Sequence, residues 1–458
     1  MVEVAFYGDD FTGSTDALRQ FERCGLHSVL LVQLPPADEL RELASRYDVI
    51  GVAGIARSLG PGEQEAELRP ILAALRDLNP RVVQYKVCST ADSSPRLGSI
   101  GRALEVGRSV FGPAVVPVLA AQPELGRYTM FSHHFAAEGG TIHRLDRQPT
   151  MANHPATPMT ESDLRVHLAR QTNLRIGALH LTSYADLSER YAQSRDDALV
   201  LDALTDADLR LLGQTLVASS NGRPLFAIGS GGLSRALAMN LTTPSPIAPA
   251  RPPESSEAAT SLPVSSETVS SAAVSSAVGF SGRRPGHSQV LVVSGSQSIR
   301  TREQIEYAVS AGWVSLGISD PAAVQEPAVA AFRDGAPGVV VHTGGHTGGR
   351  TGGHADRSAH DLVESFGDAL ARVVREVVSS TDVRRVVIAG GDTSGRVVRN
   401  LGVTALELLP GHKHLGPGTA LCRVSSPDPS IDGLQVLLKG GQIGTADLFE
   451  TFRRHEEP

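Results

Sequence analysis

A short apolar run that ends in glycine and polar residues and then opens helical spacing recurs along this chain. No other feature limits the fold so tightly. Residues 4–7 (VAFY) suit a buried strand. Gly8, Asp9 and Asp10 make a tight polar turn, and Thr12, Gly13, Ser14 and Thr15 lead into a helical segment. Similar runs at 28–32, 49–53, 82–87, 114–119, 225–228, 289–293, 338–341 and 386–389 alternate with helical patterns at 37–46, 63–78, 100–110, 301–310 and 361–379. Strands alternating with helices predict layered α/β architecture with mainly parallel sheets. Loops at the carboxyl ends of such strands are where ligands bind.

A chain of 458 residues exceeds one core, and two α/β domains are expected, residues 1–241 and 288–458. Between them, residues 242–287 are rich in Ser, Pro, Ala and Glu, so they read as a low-complexity linker. A net charge of −7 argues against a nucleic-acid surface. Three widely spaced cysteines form neither a disulfide framework nor a zinc pattern. No apolar run reaches the roughly 20 residues of a spanning helix, and the first residues enter a strand where a signal peptide would be apolar. The expectation is a cytoplasmic protein with no membrane partner.

Residues 126–158 carry His133, His134, His143 and His154 with little periodicity, the mark of a functional or disordered segment. The Gly229-Ser230-Gly231-Gly232 turn is only a partial dinucleotide fingerprint, which weakens a dehydrogenase reading. The tetrapeptide repeat at 342–354 holds three histidines in a glycine setting that fixes no metal geometry, so it reads as a surface insertion.

A second organising loop follows the strand at 386–389, namely Gly390-Gly391-Asp392-Thr393-Ser394-Gly395. Its backbone N–H groups can wrap phosphate oxygens, Thr393 and Ser394 can donate, and Asp392 can orient waters of Mg²⁺. Ser294-Gly295-Ser296 and Lys439-Gly440-Gly441 each follow another strand. Three such loops in one half favour a nucleotide site, and no Walker A pattern is present.

These motifs, with Gly8-Asp9-Asp10-Phe11-Thr12-Gly13, Tyr85-Lys86 through Asp92-Ser93-Ser94-Pro95, and His154 through Thr160, resemble the four-carbon acid sugar kinases over nearly the whole chain. The resemblance implies an acid-sugar domain, an ATP domain and phosphoryl transfer in the cleft between them. It also implies a substrate among 3-oxo-tetronates, 3-oxo-isoapionate, threonate and erythronate. The Cys88-Ser89-Thr90 loop and the 126–147 segment look closest to the 3-oxo-acid branches, 3-oxo-isoapionate in particular. Many relatives carry Ser-Thr-Leu-Arg-Gly in the Lys86 loop and Asn-Phe at Gln442-Ile443. On this footing Asp10, with Asp9 as alternative, is expected to position or deprotonate the attacking hydroxyl. Lys86 and Arg96 are expected to hold the substrate carboxylate, with Ser89, Thr90, Asp92 and Ser93 around it. Ser294, Ser296, Gly390, Gly391, Asp392, Thr393, Ser394, Lys439 and Gly441 are expected on ATP, with Asp392 toward Mg²⁺. Threonate or erythronate kinase, or a non-catalytic acid-sugar sensor, are the competing readings, and a homodimer stays open.

Overall fold

The computed structural model describes residues 2–154, 156–220, 222–241, 289–296, 298–318, 323–343, 359–409, 415–416 and 418–455, with the backbone alone at 359–365 and 392. The expected linker and all but the first two residues of the His-Gly repeat lie outside the described residues. In the first half the strands are β1 (Val4–Gly8), β2 (Ser28–Leu31), β3 (Val49–Ala53), β4 (Val82–Lys86), β5 (Val116–Leu119), β6 (Arg127–Met130), β7 (His133–Glu138), β8 (Thr141–Arg144), β9 (Ile176–Leu179), β10 (Ala198–Leu201) and β11 (Leu225–Gly229). In the second half they are β12 (Val290–Ser294), β13 (Val314–Gly317), β14 (Gly338–His342), β15 (Arg385–Ala389), β16 (Ala405–Leu408), β17 (Thr419–Ser425) and β18 (Gln435–Lys439).

Strand β1 is buried along its whole length. Val4 and Phe6 pack into one apolar cluster and Ala5 and Tyr7 into another on the opposite face. A strand covered on both faces needs no polar alternation, which is why 4–7 reads as a continuous apolar run. The order β3-β1-β4-β11 is parallel throughout. Gly8 therefore lies level with Ala53 on one side and Lys86 on the other. In the second half β12-β15-β18 are parallel neighbours, with Ala389 level with Ser294 and Lys439. Each set of three organising loops thus leaves one edge of its sheet side by side.

The two halves do not hold separate sheets. One sheet of fifteen strands runs through both. The antiparallel returns β18–β17–β16 leave β16 with an open edge, and that edge pairs with β2 through Ala405–Leu31 and Leu406–Leu30. Pairing satisfies backbone groups that either edge would otherwise expose. Val32 N–H donates to Thr404 O at 3.0 Å, Arg399 Nη2 to Ala53 O at 2.9 Å, and Tyr47 Oη to Glu407.

The weakly periodic 126–158 segment contains a small antiparallel sheet, β6-β7-β8. Its first turn, Phe131-Ser132, has φ of 50° and 66° without a glycine or asparagine to announce it. Asp202, fully buried after β10, supplies what the local sequence lacks: its carboxylate accepts from Phe131 N at 2.8 Å and Ser132 N at 3.0 Å.

Candidate active site

Asp10 caps the helix Phe11–Glu22, its Oδ1 accepting from Gly13 N at 2.8 Å. The chain leaving β3 turns back so that Arg57 N–H donates to Asp9 O at 3.0 Å. That places the guanidinium on both carboxylates, with Nη2 2.6 Å and Nε 3.2 Å from Asp9 and Nη1 2.9 Å from Asp10. Arg57 had no motif to mark it, because its role arises only from β3 lying beside β1. The two carboxylates differ in access: the Asp9 side chain is 2% exposed and that of Asp10 21%. Burial pushes Asp9 up to about 6 against the pull of Arg57, and Asp10 adds to the rise.

Lys86, buried at the end of β4, reaches the same floor. Its Nζ donates to Val87 O at 2.9 Å and lies 3.0 Å from where a β-carbon on Gly13 would stand, a position also 2.3 Å from Asp10 Oδ1. The loop beyond Lys86 is held from outside. His134 Nε2–H donates to Ser89 O at 2.7 Å while its Nδ1 accepts from Thr129. Ser93 Oγ donates to Ala91 O and meets His167 Nε2 at 2.8 Å. Thr90 Oγ1 donates to Asp92 at 2.7 Å. The expected substrate residues Ser89, Thr90 and Ser93 are all buried, with Ser93 committed to holding the loop. Arg96 lies on the bend beyond them and is exposed. Arg57 is the guanidinium at the carboxylates. Burial raises the Cys88 thiol to about 11, which keeps it protonated at neutral pH. His154 Nδ1 accepts from Thr157 N at 3.0 Å, a local turn contact.

Burial lowers both His134 and His167 from 6.5 to about 4. The unfolded chain binds protons between those values and the native state does not, so the contribution is complete above about 6.5 and is lost as pH falls toward 4. Full titration is worth on the order of 3 kcal/mol per histidine. Asp9, raised rather than lowered, acts in the opposite sense below pH 6. Urea midpoints should drop between pH 7.5 and pH 5, and His134→Gln should flatten that dependence; an unchanged slope would remove His134 as its source.

In the second half, the turn after β15 is the first turn of the helix Gly391–Asn400 rather than a separate loop. Gly390 takes φ of 124°, a backbone state closed to other residues, and its carbonyl accepts from Ser394 Oγ. Thr393 Oγ1 packs against Gly295, 2.2 Å from where a β-carbon there would lie. Ser298 Oγ donates to Gly441 O at 2.5 Å, and Thr301 Oγ1 does so at 2.9 Å. A β-carbon on Gly441 would meet Ser296 Oγ at 2.6 Å. Buried Lys439 points Nζ to Thr301 Oγ1 at 2.9 Å, and burial lowers it to about 8. Amides, hydroxyls and one ammonium around side-chain-free backbone form a donor set suited to a polyphosphate. The Asp392 side chain lies outside the described residues, and so does its expected place at Mg²⁺. Among the described residues no three His, Cys, Asp or Glu side chains gather as a metal cluster. An ion carried mainly by phosphate oxygens and one or two carboxylates needs none.

The two loop sets face each other. Thr12 Oγ1 lies 3.6 Å from the β-carbon position of Gly391, and Phe11 Cβ 3.0 Å from that of Gly395. The N-termini of two helices, of 12 and 10 residues, thus converge between the Asp9–Asp10–Arg57–Lys86 floor and the Ser296–Thr393–Gly441 cradle.

Two family models match the chain. The profile of a sugar-binding N-terminal domain fits residues 4–237, and that of a nucleotide-binding C-terminal domain fits residues 291–449. A 3-oxo-isoapionate kinase of Paraburkholderia graminis is 39% identical over 466 residues, covering 98% of this chain and 94% of that protein. The chain belongs to the four-carbon acid sugar kinases. A 3-oxo-tetronate kinase of Pseudomonas fluorescens is 30% identical, covering 96% of this chain and 94% of its own. This family member is accordingly a phosphotransferase that acts on a sugar acid. Two solved structures share the family fold: a Salmonella typhimurium protein described as a tRNA synthase (TM-score 0.71, 22% identity, 99% of both chains) and a Haemophilus influenzae protein (TM-score 0.66, 19% identity, 97% and 98%). Among the described residues no helix is long and apolar enough to cross a membrane.

Proposed function

We propose that this kinase transfers the γ-phosphoryl group of ATP, with Mg²⁺, to a hydroxyl of a branched 3-oxo acid sugar, 3-oxo-isoapionate. The margin between 39% identity to a kinase of that name and 30% to a 3-oxo-tetronate kinase carries the choice of substrate. In this reading residues 1–241 hold the acid and residues 288–458 the nucleotide, with 242–287 between them.

Lys86 and Arg57 take the substrate carboxylate. Asp10, the accessible member of the acidic pair, orients the hydroxyl and accepts its proton as the hydroxyl oxygen bonds to the γ-phosphorus and the bond to the ADP oxygen breaks. Asp9 is sealed beneath and holds Arg57 in place. Ser296, Thr393 and the Gly391 and Gly441 backbone hold the phosphates, where two converging helix N-termini favour negative charge. Mg²⁺ supplies charge neutralisation on the phosphate oxygens.

ADP formation across 3-oxo-isoapionate, 3-oxo-tetronates, threonate and erythronate tests the reading. Fastest turnover with 3-oxo-isoapionate is expected. A faster linear 3-oxo-tetronate would reassign the substrate, and no stimulation by any acid would overturn kinase action on this group.

A further inference from the structure

The Gly229-Ser230-Gly231-Gly232 turn finds its place at the acid-sugar floor. Gly231 lies so close to helix Phe11–Glu22 that a β-carbon on it would stand 2.3 Å from Asp16 Oδ2 and 2.7 Å from Gln122 Nε2. Gln122, buried after β5, donates Nε2 to Asp16 at 3.2 Å, and Gln20 Nε2 donates to the other oxygen at 3.2 Å. Two amides from different elements thus fix one carboxylate whose side chain remains 26% exposed, with Oδ2 4.0 Å from Lys86 Nζ. A carboxylate accepts about four hydrogen bonds, so these partners leave acceptor capacity on the open side.

A fixed ammonium and a fixed carboxylate about one hydrogen-bonded group apart match a particular fragment. The ammonium binds a substrate carboxylate oxygen, and the carboxylate accepts from a hydroxyl on the next carbon. Resting on the kinase reading above, we infer that Asp16 determines specificity for 2-hydroxy acids by accepting the hydrogen bond of the hydroxyl adjacent to the carboxylate that Lys86 holds. The glycine at 231 is what allows Asp16 to be clamped at that spacing. Sites built to bond a hydroxyl reject analogues without it, because the hydrogen bond that the bound acid shields from water is then missing.

The test is calorimetric binding of 3-oxo-tetronate and its 2-deoxy counterpart, 4-hydroxy-3-oxobutanoate, to the full chain. The parent should prefer the 2-hydroxy acid by at least about tenfold. Asp16→Ala should bring the two within about threefold, and Asp16→Asn, which keeps an acceptor oxygen, should fall between; ATP affinity should not change in either. Alanine suits a helix interior, and unaltered ATP binding reports a folded protein. Persistence of the preference in Asp16→Ala would overturn the inference, as would equal weakening of both acids, the signature of a mere counter-ion to Lys86. Binding of acids without phosphoryl transfer would strike the kinase reading alone.

Discussion

Asp10→Asn should fold like the parent, bind ATP with the same affinity, and turn over at least about a hundredfold more slowly, the scale of a lost acid–base group. Asparagine caps a helix as well as aspartate does, so the bond from Gly13 N survives with its Oδ1 acceptor. What disappears is the charge that can take a proton from the attacking hydroxyl, and with it the ion pair of Oδ2 with Arg57 Nη1 at 2.9 Å, so any stability loss is read separately by thermal unfolding. Thermal unfolding, nucleotide binding and single-turnover kinetics together separate these effects. Near-normal turnover in a folded variant would remove Asp10 from proton transfer. Sequence placed Asp10 first with Asp9 as the alternative; their 2% and 21% exposures favour Asp10.

Arg57→Met carries the largest expected stability change, because it strips the buried Asp9 carboxylate of both its guanidinium bonds. Breaking a buried ion pair on one side costs about 3–5 kcal/mol, since the remaining charge is left without compensation. The pH dependence has a definite sign. Asp9 stands at about 6 even with Arg57 present; without it the value rises further, and the penalty is felt where Asp9 must ionise. The deficit against the parent should be greatest near pH 8 and shrink toward pH 5, where Asp9 is protonated. Urea denaturation at the two pH values reads this directly. A deficit below about 1 kcal/mol, the range of an exposed pair, would mean that the cluster is solvated. Arg57→Lys should recover only part, as one ammonium cannot span Asp9 bidentately and reach Asp10 as well.

Several features needed only a few neighbouring residues to be legible. Strand β1, the Asp10 cap and the helix behind it are local: an apolar run, a glycine, a capping carboxylate and helical spacing. The same holds for Gly390 and the helix Gly391–Asn400, although the structure moves the helix start into the turn. Because parallel strands carry their loops to one edge, local motifs implied a shared site for Gly8–Asp10 with Lys86, and for Ser294 with Gly390 and Lys439.

Other features depended on partners distant in sequence. The hairpin at Phe131-Ser132 is held by Asp202, and the Ser89–Ser93 loop by His134 and His167. No local pattern encodes such pairs. The halves share one sheet because β17 and β16 return antiparallel and meet β2, a pairing set by which edges remain open. The sequence by itself determined the α/β class, the two loop sets and the acid-sugar kinase resemblance, since these rest on local backbone preference and motif chemistry. Only the tertiary structure decided that Arg57 binds the Asp pair and that Asp16 meets Gln122 and Lys86. The physical reason is that a charge acquires its role from the charges and dipoles packed around it, and those are chosen by strand order rather than by neighbours along the chain.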